Sequence, residues 1–204
     1  ANPISPAPAV TAIHRLGLVP YAPTLERMRG FTLTRGAQTP DEFWLLEHPP
    51  VYTVGLAGNP EHWPRVDNGI PVVRVDRGGQ ITYHGPGQLV AYLLLDMRRR
   101  NLTIRPLVRL MEQAVINLLA EYDIIARGRT DAPGVYVGDA KIAALGLRIK
   151  NGCCYHGLAL NVDVDLAPFA AINPCGYAGL RVTRTRDLGI TDSTEKLGDR
   201  LLRQ

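Results

Sequence analysis

The stretch KIAALGLRIKNGCCYHGLALNV, residues 141–162, holds two apolar runs of strand length separated by Lys150, Asn151 and Gly152. Asn-Gly accepts the positive φ angles that a two-residue hairpin turn demands, so the stretch reads as a β-hairpin. Working outward, similar runs recur at AIHRLGLV (12–19), EFWLLEH (42–48), VVRV (72–75), QLVAYLLL (88–95) and GVYV (134–137). Most are bounded by Gly, Pro, Asn or Asp, as strands are. Helices are fewer. From Thr103, the apolar positions Leu107, Leu110, Met111, Ala114, Val115, Leu118 and Leu119 follow the period of an amphipathic helix. Pro106 falls in its first turn, where a missing N–H costs nothing. A second helix is expected over 22–34, and short ones after Asp165 and Ser193. Many strands in hairpin order with a few interposed helices define an α+β, or mixed α/β, single domain.

Bulk properties bound the partners. The 204 residues suffice for one substantial core, expected over 11–204, behind a disordered leader, ANPISPAPAV. That leader lacks the basic and apolar blocks of a signal peptide, and no apolar run approaches the length of a membrane span. The net charge is +4, with a cluster at Arg98, Arg99 and Arg100. The cluster reads either as a solvated basic face or as a docking surface for an acidic macromolecule. With few aromatics and no basic repeat, nucleic acid is not the expected partner. An odd count of three cysteines without metal-type spacing points to a reducing compartment, hence the cytoplasm. Size and the lack of an apolar surface stripe suggest a monomer.

The chemistry gathers at RGGQITYHGPGQ, residues 77–88. It fails the phosphate-loop and dinucleotide patterns. Composition makes it a loop beside a strand, where glycines let backbone approach a ligand and Arg77, Thr82, Tyr83, His84 and Gln88 supply polar groups. This suggests a site wall. His84 and His156 each sit beside a glycine at a strand edge, and a lone histidine there is ordinarily structural, so no metal is expected. Cys153 and Cys154 fit the buried-hydrophobe reading of a free thiol. Cys175, in the turn INPCGYAG, is open to an incoming carbonyl and fits a nucleophile. Lys141, a single charge heading an apolar strand, is a candidate proton acceptor for it. Spacing alone leaves that pairing open.

The segments 77–92, 131–149, 156–169 and 172–179, with HPPVYTVG (48–55) and RLGLVPYAPTLERM (15–28), resemble the lipoyl(octanoyl) transferases in order and spacing. The resemblance implies the biotin/lipoate protein ligase fold, a mixed, mostly antiparallel sheet flanked by helices. It implies that Cys175 carries an acyl thioester, that Lys141 lowers its pKa, and that no cofactor takes part. Arg77, Gly78, Gly79, Gln80, Ile81, Thr82, Tyr83 and His84 would form one wall of an acyl slot. Ala144, Leu145 and Gly146 would form a second, and Gly157, Leu158 and Ala159 a third. Ala144 stands where some relatives carry Ser or Cys. The implied donor is octanoyl-acyl carrier protein. The implied acceptors are lipoyl domains of 2-oxo acid dehydrogenase E2 subunits and the glycine cleavage H protein.

Overall fold

A computed structural model describes residues 11–64, 67–172 and 179–204. The expected leader and Cys175 lie outside these residues. The hairpin is present as β9 (Ala140–Lys150) and β10 (Cys153–Asn161), with Asn151 and Gly152 at φ 52° and 73°. Around it, β1 (Ala12–Leu18), β2 (Glu42–Glu47), β6 (Gln88–Asp96), β7 (Arg127–Gly128) and β8 (Val135–Val137) complete a sheet of order β1-β2-β6-β10-β9-β8-β7. A short β11 (Arg181–Val182) runs parallel to the start of β9, pairing Val182 with Lys141. The central strand, β10, is buried along its whole length because it has neighbours on both edges and covered faces.

The first differences from the sequence reading lie in a second sheet. The segment 77–84 is not all loop: β5 (Ile81–His84) pairs antiparallel with β3 (Val51–Val54), which pairs parallel with β4 (Val72–Arg74). Four residues are too few for alternation to separate from glycine-rich surroundings, so the hairpin logic missed both β3 and β5. His156 lies inside β10 rather than at its edge, in the left-handed region at φ 67°.

Helix α1 (Tyr21–Thr34) covers one face, packing Tyr21, Leu25 and Met28 on Trp44, Val90, Tyr92 and Tyr155. Helix α2 (Ile104–Ala120), which starts after Thr103, covers the other. It buries Leu107, Met111, Val115, Leu118 and Leu119 against the hairpin strands, each contributing about 1.5–3 kcal/mol of burial. Leu110 is exposed, because it lies at the margin of the stripe set by 107, 111, 115 and 118. Helix α3 (Thr194–Leu201) opens where Ser193 accepts from the Lys196 amide, as expected, whereas residues after Asp165 make only a 3-10 turn, Ala167–Ala171. Among the described residues, no helix is long and apolar enough to cross a membrane.

The Arg98–Arg100 cluster is not a free basic face. Arg99 and Arg100 converge with Arg35 on the carboxylate of Asp41, which is 1% exposed. Burial alone would raise that carboxyl, but the Asp96 amide and the Arg100 and Arg35 guanidinium groups hold it below its ordinary value. Only Arg98 points largely to solvent.

Candidate active site

A cavity of about 270 Å³ opens where β5, β6, β9 and β10 meet. Its walls follow from strand register. In the hairpin, Ala144 faces Ala159, Leu145 faces Leu158 and Gly146 faces Gly157. Two of the three expected walls are therefore cross-strand partners, and small residues there leave space where larger ones would fill it. The third wall arrives from the other sheet. Gly78 donates its amide to the Leu147 carbonyl at 2.9 Å, fastening the 77–80 segment across β9. Behind it the Arg77 guanidinium bonds the carbonyl and hydroxyl of Thr53, at 2.7 and 2.8 Å from Nη2. This spends much of its charge on holding β3 to the rim.

Of the expected residues, Arg77, Gly79, Gln80, Ile81, Thr82, His84, Lys141, Ala144, Leu145, Gly146, Gly157, Leu158 and Ala159 all line this cavity. Two do not. Gly78 spends its backbone on β9, and the Tyr83 ring turns into the core of the small sheet, against Tyr52 and Phe169. Lys141 is 6% exposed, and its stem passes close beneath Gly134, where a Cβ would sit 2.6 Å from the Lys141 Cε. At φ +136° this position suits glycine alone, so Gly134 leaves the path that lets the lysine reach the cavity. The lysine's carbonyl accepts from the Thr183 amide at 2.9 Å, so the chain that follows residue 179 returns beside it.

Sequence reasoning missed three polar members of the lining: Tyr21, Tyr92 and His156. It also missed His48 and Asp76 behind them. His48 Nδ1 lies 2.7 Å from the Val19 carbonyl, which only accepts, so Nδ1 carries the proton and Nε2 accepts the Tyr92 hydroxyl at 2.6 Å. Burial pushes His48 down to about 4, and burial together with the His48 charge takes His84 to about 3. Both rings are neutral at pH 7. Burial lifts the Tyr21 hydroxyl to about 12. His156 Nε2 bonds Asp76 at 3.0 Å, and the Tyr155 hydroxyl bonds the other oxygen of that carboxylate. Burial would raise Asp76, but these bonds and Arg29 hold it far below the usual carboxylate range. A signal for this cluster existed: Asp76 immediately precedes the glycine-rich wall, and His156 interrupts an apolar strand. Their convergence, however, is long-range. Among the described residues, no group of three His, Cys, Asp or Glu side chains is arranged to hold a metal ion.

The other two cysteines are poor nucleophiles. Cys153 and Cys154 are free but buried in β10, and burial raises both thiols, Cys154 to about 12. The described site is a largely apolar slot lined by a lysine and by neutral aromatic polar groups.

Comparison with known proteins defines the class. The family described as the lipoyl protein ligase A/B catalytic domain matches residues 20–204. The fold is that of lipoate and biotin protein ligases. A structure from an archaeal lipoylation system, a bi-partite lipoate protein ligase and its E2 lipoyl domain from Thermoplasma acidophilum, superposes with a TM-score of 0.74 at 20% identity, covering 95% of this chain and 81% of that one. A biotin protein ligase from Aquifex aeolicus, in complex with biotin and ATP, gives 0.61 at 13% identity, with 94% and 67% covered. Relatives much nearer in sequence carry the name octanoyltransferase. That of Azoarcus sp. (strain BH72) is 64% identical over 97% of this chain and 88% of its own length, and that of Dechloromonas aromatica (strain RCB) 62% over 93% and 92%. The chain belongs to the lipoyl protein ligase A/B catalytic family, in its octanoyltransferase branch, and it is an acyltransferase.

Proposed function

We propose that this acyltransferase moves an octanoyl group from octanoyl-acyl carrier protein to the lysine of a lipoyl domain, through a thioester on Cys175, in the cytoplasm. Lipoyl domains of 2-oxo acid dehydrogenase E2 subunits and the glycine cleavage H protein are the acceptors. The observation that carries the reading is the position of Lys141: a buried amine on the wall of the slot that the paired segments 144–146 and 157–159 form.

In the first half, the Lys141 amine takes the Cys175 proton and the thiolate attacks the acyl carbonyl. The new carbon–sulfur bond forms as the bond to the carrier's phosphopantetheine sulfur breaks, and that thiol leaves with the proton from Lys141. In the second half, the amine of the target lysine attacks the enzyme thioester. Lys141 accepts its excess proton and returns it to the departing Cys175 sulfur. A thioester donor is already activated, so no nucleotide enters the balance. Exchange between thioesters is close to neutral, and formation of the amide drives the second half. Seven methylene and methyl groups, at about 0.8 kcal/mol each, give the slot several kcal/mol with which to select chain length. The net charge of +4 favours encounter with an acidic carrier.

The test is transfer of octanoate from the carrier to a purified lipoyl domain without ATP. The reading expects full transfer under these conditions; strict ATP dependence, or release of free octanoate instead of acylated domain, contradicts it.

A further inference from the structure

A buried chain of amides joins the histidine of the glycine-rich wall to the strand that carries Lys141, and its direction follows from which atoms can only accept. The Gln88 side-chain nitrogen lies 3.1 Å from the Tyr83 carbonyl and 3.0 Å from Asn161 Oδ1. A carbonyl cannot donate, so this atom is the NH₂ of Gln88, and Oε1 faces His84 Nδ1 at 2.6 Å. Asn161 is oriented in the same way, because its Nδ2 bonds the Thr183 carbonyl at 3.1 Å. The Thr183 amide then donates to the Lys141 carbonyl. Gln88 and Asn161 face each other across β6 and β10 and are 1% and 4% exposed. Each link fixes the next.

We propose that Gln88 and Asn161 are positioning residues which hold His84 as the Nδ1–H tautomer, with Nε2 as a hydrogen-bond acceptor at the cavity, and tie that acceptor to the Lys141 strand. With Nδ1 committed as donor to Gln88, the remaining ring nitrogen of the neutral imidazole carries a lone pair. His84 lines the same cavity as Lys141. Nε2 therefore accepts from N–H or S–H groups that enter with the acyl donor or the attacking lysine, and it offers them no proton. Tyr92 repeats the arrangement, since its hydroxyl proton is committed to His48 and its oxygen remains an acceptor. The part of the lining that His84 and Tyr92 form is thus acceptor-rich, complementary to the protonated species of the reaction. The functional part of this inference rests on the acyl-transfer reading; the tautomer does not.

The experiment is long-range proton–nitrogen correlation NMR on histidine-labelled protein at pH 7, without substrate, alongside steady-state transfer by variants. The wild type is expected to show His84 with Nδ1 protonated and Nε2 bare. In Gln88→Met the ring is expected to release the Nδ1–H form, with kcat down roughly 10- to 100-fold and KM within about twofold, as for loss of an oriented hydrogen-bond acceptor that acts in the transition state. Asn161→Asp, which sets an acceptor against the Thr183 carbonyl, is expected to do the same less severely. His84 found as the Nε2–H tautomer or as imidazolium in the wild type overturns the proposal, whether or not the variants fold. So does a Gln88→Met protein that keeps the Nδ1–H form and full kcat. If the tautomer is as stated but no acyl adduct forms on Cys175, the network stands and the acyl-transfer reading fails.

Discussion

Two regions of this molecule bury polar groups densely, and they do so in opposite ways. At Asp41, three arginines close on one carboxylate, and the ion pairs tie Arg35 and the turn after β6 to the start of β2. Around the cavity, His48, His84, Tyr21 and Tyr92 are held neutral, and their hydrogen bonds lead toward an open space. The first arrangement fastens the fold. The second keeps aromatic groups uncharged beside an apolar slot. In sequence the arginine cluster read either as a solvated face or as a docking surface, whereas Arg99 and Arg100 close on a buried counter-ion. A run of charge has little meaning until its counter-ion is known.

Acid separates the two regions most widely. His48 and His84 have folded pKa values of about 4 and 3, below their ordinary 6.5, so the unfolded chain takes up protons that the folded one refuses. Their contribution is therefore complete above pH 6.5 and is lost as pH falls through that value toward 4, at about 1.4 kcal/mol per pH unit for each ring. Asp41 has a lowered pKa, and its contribution is present above 3.8 and lost only below it. Urea unfolding from pH 7 to 3 is expected to decline from about 6.5 downward; a flat profile to pH 4 contradicts the neutral cluster. Next in size, Asp41→Ala leaves three arginines unpaired and is expected to cost about 3–5 kcal/mol in the same assay, with the catalytic rate of the surviving folded protein little changed. Ala144→Leu adds three carbons to the slot wall. It is expected to leave stability within about 1 kcal/mol and to shift acyl preference toward shorter chains by roughly tenfold, read from competing six- and eight-carbon donors. Arg98→Ala is expected to move stability and rate by less than about 0.5 kcal/mol, since its side chain is 71% exposed.

Much of the fold was legible because its signals are local. The Asn151-Gly152 turn, the heptad-like stripe of α2 and the apolar runs of β1, β2, β6, β9 and β10 each carry their own reason in neighbouring residues. The three-stranded sheet was not legible, since β3 and β5 are four residues each and pair across 30 positions of chain. At the site, the walls 144–146 and 157–159 follow from the hairpin once its register is known. Their role came from family resemblance, not from periodicity. His48, Asp76, Tyr92 and Tyr21 come together only through tertiary packing, and no spacing in the chain announces them. Cys175 carries the central assignment and lies outside the described residues, so its role rests on sequence and chemistry.

The most direct measurement is intact mass and peptide mapping of the protein after brief exposure to octanoyl-acyl carrier protein without an acceptor. The account predicts a gain of one octanoyl group, mapped to Cys175, sensitive to hydroxylamine and absent from Cys175→Ala. No adduct, or an adduct on Cys153 or Cys154, would contradict it.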